Sequence, residues 1–317
     1  MLDIQQNIPL KNFTTFRIGG PARFFVEVKS EKELMEALKY AKENNLKFFI
    51  LGGGSNLLVS NKGYNGLIIK FKVQSSKFKV TVKNSKFVIE CWAGDNLPDL
   101  VKYTSENCLA GLEWAVGLPA TVGGAIRGNA GTFGKSMKDI VKKVRTYDLS
   151  NSQIKEFENS ECEFGYRRSL FKNNRNFIIT SAVLQLTRKD KAKVDNAIKE
   201  YAEQKKKIVP KGFSPGSFFK HPEANEHNLR KIRDIPRFKE LKIYENNTIP
   251  AGFIIEECDL KGKKIGGAMV SEKHANFIVN TGNATAEDVI MLASIIKQQV
   301  RDKFGIELVE EVQYLGF

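Results

Sequence analysis

Apolar and polar residues alternate in FFVEV (24–28), the pattern of a strand with one buried face. Ser30 follows, with Glu33 three residues on, the spacing of a capping box that opens a helix. Leu34, Met35, Leu38 and Ala41 then fall on one face of a helix running through residue 44. KFFIL (47–51) is the next strand, so the N-terminal segment reads as a β-α-β unit whose second strand runs straight into GGG (52–54). GLIIKF (66–71), FKVTV (78–82) and FVIECWA (87–93) continue as strands. Asp95 is the expected cap of a helix from about Leu97 to Asn107, with Pro98 at a tolerated first-turn position.

FIITSAVLQLTR (177–188) is another ordered segment, and residues 189–211 form a polar, lysine-rich helix that is the best candidate for a domain boundary. Beyond it, strands are expected near 253–257, 264–270 and 275–280. Thr285 caps a helix from about Ala286, with Val289, Leu292, Ile295, Ile296 and Val300 on its buried face and Gly305 as its stop. EEVQYLG (310–316) reads as a short terminal strand. There are no internal repeats.

At 317 residues, 42% of them apolar and 27% charged, the chain has ordinary values for a soluble globular protein of two or three domains. MLDIQQNIPL (1–10) lacks the basic and apolar regions of a signal peptide, and no apolar run approaches a membrane span, so a cytoplasmic location is expected. Cys91, Cys108, Cys162 and Cys258 are scattered without CxxC or a nearby histidine pair. Reduced, mostly buried thiols are expected, with neither a disulfide framework nor a metal site. Lys and Arg outnumber Asp and Glu by 50 to 36, a net charge of +14. The lysines are spread along the whole length and match no nucleic-acid module, although their field suits phosphate-rich small molecules.

Candidate chemistry starts at ILGGGSNLLVS (50–60). Consecutive glycines cost conformational entropy, which a tight turn accounts for when there are one or two. Three followed by Ser55 and Asn56 suit a diphosphate cradle built from backbone N–H groups. A dinucleotide fingerprint is excluded because NKGYNG (61–66), a turn, follows instead of a helix. GNAGTFGKS (128–136) superficially resembles a P-loop, but the position where the motif needs its first glycine is Asn129. A second glycine-rich stretch, GLPATVGGAIRGNAGTFG (117–134), remains, carrying almost no charge except Arg127. Two such loops suggest one elongated ligand with a central diphosphate, and FAD has that shape.

TTFRIGGPA (14–22), ILGGGSNLLVS (50–60), GLEWAVGLPATVGGAIRGNAG (111–131), FGYRRSLFK (164–172), PGSFFKHP (215–222), KKIGGAMVSEKHANFIVN (263–280) and GIELVEEVQYLG (305–316) stand in one order along nearly the whole chain. Together they resemble the UDP-N-acetylenolpyruvoylglucosamine reductase family, flavoenzymes of bacterial peptidoglycan synthesis. The resemblance implies an α+β chain. Its FAD-binding fold would be of the vanillyl-alcohol oxidase type, with two α+β subdomains and a C-terminal α+β substrate-binding domain. Residues 1–72, joined by strand 306–317, would be the first FAD-binding subdomain, residues 73–209 the second, and residues 210–305 the substrate-binding domain.

The implied reaction is NADPH-dependent reduction of UDP-N-acetylglucosamine enolpyruvate to UDP-N-acetylmuramate, by hydride transfer through FAD and protonation by a serine. Arg167 matches the family's carboxylate-binding arginine, Ser217 its proton donor and Glu311 its glutamate, a hydrogen-bond donor when neutral. Arg168 and Glu310 are expected on the opposite faces of their strands. FAD would be held by Gly52, Gly53, Gly54, Ser55, Asn56 and Leu57 on one side and by Pro119, Thr121, Gly123, Gly124, Asn129 and Gly131 on the other. Tyr166, Lys220 and His221 join Arg167 as substrate-binding candidates. His221, His227 and His274 all lie in the C-terminal third, so the FAD should be non-covalent. A monomer without nucleic-acid or membrane partners is expected.

Three departures from the family pattern stand out. Gln313 occupies a usually basic position after the glutamate-valine pair, and His221 stands where Asn or a basic residue is commoner. The segment 223–249 is an insertion, read as a basic surface excursion with a short helix or as a lid. The shorter family subtype, without an added tyrosine-bearing loop, fits the spacing. Competing readings are another flavin oxidoreductase acting on a sugar or lactone, and a basic nucleic-acid-binding protein that has lost catalysis.

Overall fold

Apolar residues that the sequence spaces for strands and helices collect into two separate cores. The computed structural model describes residues 2–73, 78–83, 86–241, 243 and 247–317. Residues 242 and 244–246 of the insertion lie outside the described residues. In chain order the elements begin with β1 (Gln5–Pro9), β2 (Pro21–Val28), α1 (Glu31–Glu43), β3 (Phe48–Leu51), β4 (Leu57–Val59), β5 (Tyr64–Phe71), β6 (Lys79–Lys83) and β7 (Lys86–Trp92). There follow α2 (Leu97–Glu106), β8 (Leu109–Ala110), α3 (Val122–Arg127), β9 (Gly131–Thr132), β10 (Lys135–Ser136), β11 (Val141–Asp148), β12 (Gln153–Glu158), α4 (Leu170–Asn173), β13 (Phe177–Arg188) and α5 (Lys191–Ile208). The last are α6 (Glu226–Ile232), α7 (Ala251–Glu256), β14 (Lys264–Ile265), β15 (Ala268–Val270), β16 (Ile278–Asn280), α8 (Ala286–Phe304) and β17 (Gln313–Leu315).

The chain divides into two compact units, one of Met1–Asn7, Phe24–Gly53 and Gly66–Lys205, the other of Ile8–Arg23, Gly54–Asn65 and Lys206–Phe317. In the first, a four-stranded sheet runs β1-β2-β5-β3, so β5 separates the two strands of the expected β-α-β unit and pairs in parallel with β3. A larger antiparallel sheet runs β12-β11-β13-β7-β6, with the twelve-residue β13 between β11 and β7. Leu34, Leu67, Ile89, Leu100, Ile126 and Leu184, all fully buried, belong to the core of this unit. Each such side chain contributes about 1.5–3 kcal/mol of transfer free energy. The second unit packs β14-β15-β16 and the parallel pair β17-β4 around a core that includes Leu58, Phe218, Ile255, Val289 and Ile296. No described helix is long and apolar enough to cross a membrane.

Several expectations need correction. Ser30 does cap α1, accepting from Glu33 N at 3.1 Å, but the Glu33 carboxylate accepts from Lys29 N, one residue beyond the N-cap nitrogen that a capping box uses. Ala37 replaces Met35 on the buried face of α1, and Met35 is exposed. Asn96, not Asp95, stands at the N-cap of α2; the Asp95 side chain turns back to accept from Trp92 N at 2.8 Å. The apolar run near 253–257 is α7, not a strand: Pro250 at its N-cap starts a turn that buries Ala251, Ile254 and Ile255 at helical spacing. The expected strand 264–270 is a hairpin, because Gly266 at φ +51° turns the chain between β14 and β15. Two of the cysteines, Cys91 and Cys162, are buried, while Cys108 and Cys258 are half-buried. The insertion does contain a short helix, α6, and it is anchored by the buried Ala224, Ile232 and Ile249.

The best-defined boundary is that of α8. Thr285 Oγ1 accepts from Asp288 N at 3.0 Å and Asp288 Oδ2 accepts from Thr285 N at 2.9 Å, a complete capping box, and Gly305 at φ +61° ends the helix. Thr285→Ala should lower the stability of the second unit by about 1 kcal/mol, read as a lower urea midpoint with unchanged slope.

Candidate active site

β3 ends at Leu51, and Gly52 and Gly53 leave it directly against the Pro119–Thr121 segment of the same unit. A Cβ at Gly53 would stand 2.8 Å from the Pro119 carbonyl oxygen and 3.1 Å from Ala120 Cα. One at Gly52 would stand 3.0 Å from Thr121 Oγ1. The two glycine-rich stretches therefore touch backbone to backbone, which only residues without side chains allow. Gly54 adds a conformational demand, φ +62°. The amide nitrogens of Gly53, Ser55 and Asn56 donate to no protein acceptor among the described residues, so they are available to an anion.

The second stretch spends its amides internally. Thr121 caps α3 by accepting from Gly124 N at 3.2 Å, Val122 N donates to Asp95 O and Gly123 N to Ala93 O, both at 2.9 Å. A Cβ on Gly123 would meet Ala93 Cβ at 2.8 Å, so this glycine serves close packing of α3 on the end of β7. Gly131 begins the β9–β10 hairpin, where a side chain would run into Ser136. Asn129, only 4% exposed, joins this loop to the FGYRR segment: its Nδ2 donates to Gly165 O at 2.8 Å and its Oδ1 accepts from Lys138 N at 3.0 Å.

FGYRRS is not a strand. Gly165 and Arg168 pair across a tight turn, and Arg167 sits within it at φ +53°, a left-handed conformation that costs a non-glycine residue about 1–2 kcal/mol. Lys172 Nζ donates to Arg167 O at 2.9 Å, and the Arg167 guanidinium lies over the Tyr166 ring at 5.3 Å. Arg168 is exposed and pairs with Glu163 at 3.4 Å, so turn geometry rather than alternation separates the two arginines. Ser169 Oγ donates to Arg127 O at 2.6 Å, a further tie between this turn and the glycine-rich loop. Burial holds the Arg127 guanidinium below the usual arginine range, with Arg175 adding to the effect.

Lys205 was not visible as a site residue in its run of three lysines. Its Nζ donates to Trp114 O at 2.9 Å and Val116 O at 2.7 Å, immediately ahead of Gly117, and burial pulls its pKa down to about 8.

In the second unit Ser217 and Glu311, both half-buried, are carried on adjacent segments. Glu311 N donates to Phe218 O at 2.8 Å, Lys220 N donates to Val309 O at 2.8 Å, and Phe219 bridges Glu310. The Glu310 carboxylate is taken up by Lys297 at 3.0 Å. Asn56 has a task besides its free amide: Nδ2 donates to Glu311 O at 3.1 Å and its carbonyl accepts from Gln313 N at 3.1 Å. Leu57, buried, opens β4 opposite Gln313 of β17. His221 Nδ1 accepts from Ala251 N at 3.0 Å and so supplies the cap that Pro250 cannot give α7.

Residues 22–158 match the model of an FAD binding domain, and residues 209–315 match the C-terminal domain of UDP-N-acetylenolpyruvoylglucosamine reductase. A UDP-N-acetylenolpyruvoylglucosamine reductase of Carboxydothermus hydrogenoformans is 40% identical over 99% of this chain and 94% of its own length. The chain belongs to that reductase family. A second relative of that name, from Caldanaerobacter subterraneus, is 38% identical over 98% of this chain and 93% of its own length. The crystal structure of the reductase from Thermus caldophilus superposes with a TM-score of 0.77 at 30% identity, covering all of both chains. The chain is thus an FAD-dependent oxidoreductase of peptidoglycan precursor synthesis with the family's α+β fold. Gly53 has an unspent amide where a side chain is sterically barred, and Ser55 and Asn56 add two more, a geometry that fits the cofactor's diphosphate.

Gly53→Ala should purify without its yellow chromophore while far-UV dichroism stays native, because the added methyl opposes a backbone carbonyl. Unfolded, Lys205 keeps its proton to about 10.4, and folded only to about 8. Between those values the unfolded chain binds more protons, so stability rises with pH. The urea midpoint of the native protein relative to Lys205→Met should accordingly increase from pH 8 to pH 10.

Proposed function

We propose that the chain reduces UDP-N-acetylglucosamine enolpyruvate to UDP-N-acetylmuramate at the expense of NADPH, adding a hydride and a proton across the enol ether double bond. The observation that carries this reading is the short ladder that seats Ser217 beside Glu311, with Glu311 N bonded to Phe218 O at 2.8 Å. Bound FAD supplies the hydride chemistry, linking NADPH oxidation to alkene reduction. Ser217 gives its hydroxyl proton to the carbon that accumulates negative charge, and regains one from solvent. Arg167 grips the substrate carboxylate through two parallel hydrogen bonds and stabilises it as charge builds up there. Its positive-φ turn, held from behind by Lys172, keeps that guanidinium in place. Glu311, in its protonated form, donates a hydrogen bond to the same developing charge. Tyr166 and Lys220 line the sugar-nucleotide path, and His221 contributes through its place ahead of α7.

Ser217→Ala should leave bleaching of the flavin by NADPH nearly unchanged and block recovery of colour upon addition of the enolpyruvyl sugar nucleotide. Equal slowing of both halves, followed in a stopped-flow spectrometer, would remove Ser217 from the proton-donor role. Glu311→Ala should cost on the order of 10²–10³ in turnover, and Glu311→Gln less, because an amide still donates.

A further inference from the structure

The KHANFIVN segment (273–280) has no part in the roles above, yet it grips the chain on either side of the serine's neighbours. Asn276 is 1% exposed and makes three hydrogen bonds to Phe218 and Phe219. Its backbone carbonyl accepts from Phe218 N at 2.8 Å, its side-chain Oδ1 accepts from Phe219 N at 2.9 Å, and its Nδ2 donates to Phe219 O at 2.9 Å. A carboxamide used this way imitates one peptide unit of a neighbouring strand. On the opposite edge the same segment is bonded by Glu311 N and by Val309 O. The residues after Ser217 are therefore clamped between the backbone of Val309–Glu311, paired through an isolated bridge, and a single side chain on the other edge.

We propose that Asn276 is the positioning residue that fixes the Ser217 hydroxyl for proton delivery; this rests on Ser217 being the donor, as proposed above. The local geometry explains why one amide matters so much. Gly216 precedes the serine at φ +85°, and ahead of it the chain is held by Thr15 Oγ1 donating to Ser214 O and Asn280 N donating to Phe213 O, both at 2.8 Å. The C-terminal side of the serine carries a restraint of its own. There Phe218 and Phe219 are buried, their rings packed edge to face at 5.1 Å, and the Phe219 peptide finds both its acceptor and its donor on Asn276. Removing the carboxamide leaves a buried N–H and a buried C=O unpaired, and the segment relieves that by rotating. Asn276 is itself fixed, its N–H donating to His274 Nδ1 at 3.1 Å. Lys273 Nζ holds the start of the serine-bearing segment through Val209 O at 3.0 Å. A shift of order 1 Å at a reacting group costs about 10² in rate.

The test uses the FAD-loaded protein carrying Asn276→Ala, with Asn276→Ser as the milder change should the first not accumulate. Flavin bleaching by NADPH should stay within about twofold of the native rate, while recovery of colour with the enolpyruvyl sugar nucleotide slows about 10- to 100-fold. Amides of Phe218 and Phe219 should exchange with deuterium faster, with α8 unchanged. In a Ser217→Ala background the same substitution should add nothing further to the recovery rate, the mark of two residues acting through one group. Parallel loss of both half-reactions, or native recovery of colour in both variants, overturns the positioning role. Native recovery in Ser217→Ala alone would instead overturn the proton-donor reading, so the two failures are told apart.

Discussion

Backbone contact between Gly53 and the Pro119–Ala120 peptide is the constraint on which the FAD-binding unit depends. A single methyl at that point would lie 2.8 Å from a carbonyl oxygen, closer than any real Cβ tolerates. Once the two loops touch, Gly52 and Gly53 can present only backbone groups, and the side-chain demands move one layer out. Thr121, Asn129, Ser169 and Lys172 meet them, each bonding to a backbone group of this loop region or of the Arg167 turn. The glycines thus meet a steric demand that a residue with a side chain would not.

The second unit solves a different problem, which is to hold two half-buried polar side chains at the edge of a small core. It uses carboxamides: Asn276 against the serine segment and Asn56 against the glutamate segment. An amide side chain has one donor and one acceptor group, so it completes a short ladder without a further strand. Because Phe218 and Phe219 are nearly inaccessible, any slack in that ladder would expose unpaired peptide groups to an apolar interior.

Much of this was legible in the sequence, and the failures have physical causes. The ends of α8 followed from Thr285 and Gly305, which satisfy terminal backbone groups locally. The run AGFIIEE was ambiguous because a short apolar segment suits either a buried strand or a helix; Pro250 was the signal that could have decided it. Arg167 in a left-handed turn left no trace, since nothing in FGYRRS demands a positive φ at an arginine. Lys205 was hidden among lysines that differ only in which one points at the Trp114 and Val116 carbonyls. The glycine loops read as a cofactor cradle, and within them Asn56 and Gly123 are tied to the protein itself, through the Glu311 carbonyl and through Ala93. Such long-range partners are set by tertiary contact and carry no local pattern.

The bond between Asn56 and Glu311 joins residues 255 positions apart. The unit that contains them is assembled from Ile8–Arg23, Gly54–Asn65 and Lys206–Phe317, and its first two pieces leave the ribosome long before the third. Phe16, Ile18 and Leu58, buried in the finished fold, lack during that interval the rest of their cluster, which comes from the third piece. Synthesis therefore passes through a stage in which the first unit can already condense while these greasy fragments of the second wait uncovered. That window makes the nascent chain a natural client for chaperones that shield apolar surface.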